Sequence, residues 1–279
     1  MATCSIISIM KTLHTLLYIL FFSCFTAHAE QSDSVLFKVT YYTTFKSFIE
    51  RTDLHVDELV LEVGEQQTRF YSLYRKMRKE RMDSLKALGV DAFAIQGMIG
   101  DIPRNYYNYM IYNNYPENGK RHVECKHYHG LFYEEDMDIP QWEIVEGDST
   151  ILGYKCQKAV GTYRGHYWQV WFTPDIPVSY GPWKLSGLPG LILHAYDAKA
   201  FCTYDAIAFE NGKGETLYTP KTKAQRSTRE QDLKLVKLSS ANSVAYFKYF
   251  GLQTFDTYTD RNGIVKKMPT HTAILLEDE

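Results

Sequence analysis

Cysteine is scarce: the 279-residue chain has five, and beyond residue 29 only Cys125, Cys156 and Cys202 remain. Three thiols cannot all pair within one chain, which excludes a disulfide framework and leaves room for one bridge at most. A surplus of one charge is also lacking, since 31 Lys and Arg stand against 33 Asp and Glu, a net charge of −2. Apart from RKMRKER at 75–81 there is no block of like charges, so bulk attraction to nucleic acid or to an anionic membrane is not expected. Internal repeats and low-complexity tracts are missing, as are the G-x-S-x-G elbow, the H-E-x-x-H pair and a phosphate-cradling glycine loop. No cofactor is implied. Strand-like and helix-like segments do not alternate, which argues against a parallel α/β sheet.

What is present begins with Lys11, an apolar run from Leu13 to Phe25 and the small-residue site Ala27-His28-Ala29. This order reads as a secretory signal peptide over 1–29, cleaved before Glu30. The run is too short for a comfortable span, which takes about 20 residues. Cys24, after Phe21, Phe22 and Ser23, fits a lipid-attachment box badly. Cleavage removes one cation, Lys11, and no anion, leaving 30 against 33 and a net charge of −3. Export to the periplasm or the extracellular space is the expectation.

Period-2 alternation marks VLFKVTYYTTF (35–45), VDELVLEV (56–63) and TRFYSLY (68–74) as strands. Leu73, Met77, Arg81, Leu85 and Leu88 then recur at helical spacing, with Gly89 at the C-cap position and the basic run on the solvated face. Residues 105–133 read as a hairpin around Asn118-Gly119. Over 141–173, strand runs are separated at Glu146-Gly147-Asp148 and at Arg164-Gly165, and LILHAYD and AFCTYDAIAF follow. The predicted fold is mainly β (α+β): a single antiparallel sheet, curved or partly closed, with one helix after the third strand and a helical C-terminal segment. Residues 30–279 form one β-rich domain, in which 212–279 is a polar, partly helical arm with a helix ending near Gly251.

Four prolines, at 174, 177, 182 and 189, make 173–190 a connection and not a strand. Leu188-Pro189-Gly190-Leu191 has the pattern of a type II turn, with positive φ expected at Gly190. Tyr180, Trp183 and Lys184 are the binding candidates of this loop, Lys184 on its exposed side. The stretch Gly187-Leu188-Pro189-Gly190-Leu191-Ile192 resembles the motif that names the GLPGLI family, exported proteins found mainly in Bacteroidota. The flanks LGYKCQKA (152–159), YRGHYWQVWFTPDIPVSYGPWK (163–184), YEED and QWEI are similar as well, so the resemblance covers about 35–210. Two departures are His166, where relatives tend to carry Arg, and the ending KKMPTHTAILLEDE, which lacks the asparagine-proline of many members. The resemblance implies an exported protein without established catalytic residues, often encoded beside outer-membrane transport machinery.

Cys125, His127 and His129 share one face if HVECKHYH is a strand, at spacing compatible with zinc or copper. Structural zinc takes four ligands, so an exposed polar strand is the plainer reading. Glu134, Glu135, Asp136 and Asp138 are four acids in five residues, expected as a solvated turn or a weak calcium site. Tyr163, Tyr167, Trp168, Trp171, Phe172, Tyr180 and Trp183 suit either core packing on both faces or a concave aromatic binding face. The leading expectation is a non-catalytic binding or accessory factor at the cell envelope, partnered with an outer-membrane transporter or another envelope protein. The alternative is a periplasmic metal-handling protein or hydrolase using Cys125, His127 and His129 or the acidic loop 134–138.

Overall fold

The computed structural model describes residues 33–220 and 223–277, so the signal-peptide reading lies outside the described residues. Twelve strands form one sheet in the order β12-β6-β5-β4-β3-β2-β1-β11-β10-β9-β8-β7. They are β1 (Val35–Phe45), β2 (His55–Gly64), β3 (Thr68–Ser72), β4 (Tyr109–Asn113), β5 (Lys120–Cys125), β6 (Leu131–Asp136), β7 (Gln141–Ile151), β8 (Tyr154–Tyr163), β9 (His166–Thr173), β10 (Leu191–Asp197), β11 (Cys202–Asn211) and β12 (Gln225–Arg226). The alternation of β1 does what its pattern predicts: Val35, Phe37, Val39 and Tyr41 are buried. Arg164 and Gly165, at φ 53° and 82°, make the two-residue turn between β8 and β9.

The expected architecture needs four corrections. The sheet is mixed, because β12 runs parallel to β6, and it is open, with β12 and β7 as its two edges. Gly147 lies inside β7 at a register shift between Val145 and Asp148, and the chain turns instead at Leu152-Gly153, with φ 51° and 84°. After β3 come two helices, α1 (Leu73–Ala87) and α2 (Ala92–Met98), the second capped by Asp91, whose side chain accepts from the amides of Phe93 and Ala94. The C-terminal segment holds α3 (Arg229–Ala241), α4 (Ser243–Tyr249) and a separate two-stranded sheet of β13 (Thr257–Thr259) and β14 (Val265–Lys267). Among the described residues no helix is long and apolar enough to cross a membrane.

Strands that are not neighbours in the sheet order touch through their inward side chains. Arg121 on β5 lies 3.3 Å from the Tyr163 hydroxyl on β8, and the Tyr41 hydroxyl donates to the Ile192 carbonyl at 2.6 Å. The sheet is therefore strongly curved. Its concave face carries one continuous apolar core, including Phe70, Val123, Trp168, Phe172 and Tyr204, and into that face fold the 174–190 connection and α3.

Candidate binding site

The connection between β9 and β10 is built around close backbone approach. A Cβ on Gly190 would lie 2.2 Å from the Thr173 carbonyl oxygen and 2.6 Å from its carbon, so only glycine fits there. The expected type II turn is absent, because Gly190 donates to Leu188 two residues back, at 2.8 Å, as in a γ-turn. The positive φ of the motif belongs to Gly187, at 95°. Leu191 and Ile192 donate to the carbonyls of Ile176 and Tyr180, and the Trp142 indole donates to the Ser186 carbonyl, so the loop is laced to the strand it feeds. Leu188, Leu191, Ile192 and Leu193 are buried.

Of the three binding candidates in this loop, Tyr180 is half-buried, its hydroxyl accepting from the Asn114 side chain at 2.9 Å. Trp183 is buried at φ 56°, a left-handed conformation that a bulky residue adopts only when its surroundings enforce it. Its indole packs 5.6 Å from both Tyr163 and Trp168. Lys184, expected on the surface, is 1% exposed. Its ammonium lies 2.8 Å from Glu135 and 2.5 Å from Glu277 and donates to the Tyr133 hydroxyl at 3.0 Å. A lysine goes this deep only where carboxylates meet it.

The acidic run is likewise not a solvated turn. Glu134, Glu135 and Asp136 belong to β6, with Asp138 just beyond, and they divide by face. Glu134 pairs with Arg226 at 2.7 Å and Asp136 with Lys120 at 2.7 Å on the outside. Glu135 and Asp138 turn inward to Arg121, Arg164, Lys184 and Tyr163. Burial works against ionising Glu135, yet Lys184, Arg121 and Arg164 outweigh it and hold its carboxyl below the usual carboxylate range. Asp138 is also held low, where hydrogen bonds from Arg164 and Tyr163 overcome burial. Nothing in the sequence pattern tied Arg121, Arg164 or Glu277 to this cluster.

Beside it, between the concave sheet and α3, lies a chamber of about 350 Å³. Trp183 and Glu277 wall one part of it, Leu233 and Val236 of α3 roof it, and Ile274, Leu275 and Leu276 lie across it. That last segment is strapped down by main-chain bonds: Ile49 donates to Thr272, Ile274 to Ser47 and His271 to Ser240. Two chamber-lining hydroxyls, of Thr43 and Tyr107, are buried and make no hydrogen bond within the protein, and the Tyr204 hydroxyl meets only the Cys202 thiol. Burial pushes the Tyr107 and Tyr204 hydroxyls well above their ordinary range and the Cys202 thiol up to about 12, so all three stay neutral at physiological pH. The size falls within the range of small-molecule sites, about 300–1,000 Å³.

The proposed Cys125, His127 and His129 face does not form, because β5 ends at Cys125 and the chain turns, Gly130 donating to His127 at 3.0 Å. Cys125 and His127 line the chamber, while His129 packs on Phe250 with ring centroids 5.5 Å apart. His127 spends both ring nitrogens, on Asp232 of α3 at 2.6 Å and on the Tyr246 hydroxyl at 3.1 Å. Burial and the adjacent Asp232 push the Cys125 thiol well above its ordinary range, the reverse of what activates a thiolate. Among the described residues no group of three or more His, Cys, Asp or Glu is arranged to hold a metal, and Cys125, Cys156 and Cys202 are all free and buried.

A family model described as "Protein of unknown function (Porph_ging)" matches residues 164–194, from the β8–β9 turn into β10. No curated protein matches the chain. Two solved structures of PNGF-II, in the P21 and C2 space groups, are similar with TM-scores of 0.49 and 0.48 at 13% identity, covering 74% of this chain and 34% of those chains. The chain thus spans about a third of the length of these structural relatives.

Proposed function

We propose that this is an exported, non-catalytic binding protein of the cell envelope, of the GLPGLI kind, which carries an apolar small molecule in the chamber beneath α3. The observation that carries the reading is the pair of unpartnered hydroxyls of Thr43 and Tyr107 on a wall that mixes apolar side chains such as Phe45, Leu233 and Val236 with polar ones. Buried polar groups left without partners cost about 1–3 kcal/mol each, a cost that an occupant with matching oxygens or nitrogens removes. The strained backbone of Trp183, which sets its indole on the same wall, points the same way. The resemblance to exported proteins encoded beside transport machinery makes an outer-membrane transporter or another envelope protein the proposed partner. Native mass spectrometry of protein purified from its own cells tests this reading. The expected species begins at Glu30 and carries one noncovalent small molecule; a bare chain, or one acylated at Cys24, contradicts it.

The alternative, metal handling or hydrolysis, would draw on Cys125, His127 and Asp232, which line the chamber without being arranged to hold a metal. Elemental analysis of untagged protein separates the two readings. Near-stoichiometric zinc or copper, lost in His127→Ala, would favour this second one.

A further inference from the structure

Glu277 belongs to both parts of the site. It lines the chamber, and its carboxylate lies 2.5 Å from Lys184, 3.1 Å from Arg229 and 3.3 Å from Arg164. Without it, four cations, Arg121, Arg164, Lys184 and Arg229, would be left with Glu135, the exposed Asp138 and, 4.0 Å from Arg229, the exposed Glu230. Arg121 and Lys184 are buried and the other two arginines half-buried, while Glu135 alone of these carboxylates is shielded from water, so the interior needs another anion. Glu277 supplies it at the end of a segment, Ile274-Leu275-Leu276, whose apolar residues lie along the chamber and are themselves only half-buried. An apolar body ending in a carboxylate is the chemistry of a single-chain amphiphilic acid.

We infer that Lys184, Arg164 and Arg229 form the head-group site for a carboxylate amphiphile whose chain enters the chamber, and that Glu277 fills this site in cis when no ligand is bound. The inference rests on the binding reading of the chamber. Ligand entry exchanges one carboxylate for another on the same cations, so the strap 273–277 lifts as the ligand seats. No net charge is buried in the exchange, which keeps its electrostatic cost low. Selectivity at the head-group site follows from the same geometry: a neutral or cationic chain enters the chamber without displacing Glu277.

Dodecanoate, dodecanol and dodecyltrimethylammonium serve as probes, read by calorimetry and by Tm on the parent, Glu277→Ala and Glu277→Gln proteins. Removing the internal carboxylate is expected to raise dodecanoate affinity at least tenfold and to leave dodecanol affinity within about twofold. Arg229→Met added to Glu277→Ala should reverse the gain. If Glu277→Ala does not fold alone, the inference requires that dodecanoate restore its fold, and failure to do so counts against it. Equal binding of dodecanoate and dodecanol by all variants would overturn the head-group site and leave the chamber reading standing. No binding of any probe by any variant would overturn both.

Discussion

Gly190 and Lys184 sit six residues apart, and each is fixed by a contact far along the chain. A methyl group at 190 has no room against the Thr173 backbone, and backbone cannot yield as a side-chain tip does. Gly190→Ala is therefore expected to lower stability by about 1–3 kcal/mol in urea denaturation, as forced insertion into packed structure does. Lys184→Met should cost a similar amount, about 1–3 kcal/mol, because Glu135 and Glu277 would lose one buried cation while Arg164 still bridges them. A change below about 0.5 kcal/mol, the usual figure for an exposed residue, would mean that Lys184 is not held by these carboxylates. The need for glycine at 190 was legible from LPG; its cause was not, since a turn signature reports local φ and ψ while the close approach comes from Thr173. Lys184 misled for a related reason. A lysine in a proline-rich connection reads as solvated until Glu277, 93 residues on, is brought beside it.

Strands announced themselves where one face is wet and the other dry. β1 kept the predicted 35–45, and the alternation of β8 and β9 survives as Trp168 and Phe172 inward with Tyr167 exposed. The two-residue β12 has no period to detect, and its parallel pairing with β6 comes from a contact across the fold. The helical tail was visible as one segment, whereas Asn242 divides it, its side chain accepting from the Ala245 amide to start α4. That Asn followed by an apolar run was the readable signal. At the other end of α3, Thr228 accepts from the Gln231 amide. Thr228→Ala should cost about 1 kcal/mol and speed hydrogen exchange in the first turn of α3, the helix that roofs the chamber. Unchanged exchange across 229–233 would show that packing of Leu233 and Leu235, and not the cap, holds that end.

At the scale of the molecule, the curvature of the open sheet brings β5 and β6 against β8 and the loop, and the inward charges meet there. Glu135 and Asp138 have folded values below their unfolded ones, so their contribution to stability is full above the ordinary carboxylate range and drains away as pH falls through the depressed values. The urea midpoint should thus hold near neutrality and fall below about pH 4. Glu135→Gln should be weaker at neutral pH and show a shallower acid limb; parallel acid limbs would remove the cluster as the cause. The measurement closest to the central claim is titration with Nile red, a neutral apolar dye, following energy transfer from tryptophan, with Trp183 on the chamber wall. The account predicts saturable binding of one dye per chain in the parent and its loss in Val236→Trp, which fills the chamber from α3 while the far-ultraviolet spectrum and Tm stay those of a folded protein. Undiminished binding in that folded variant would contradict it.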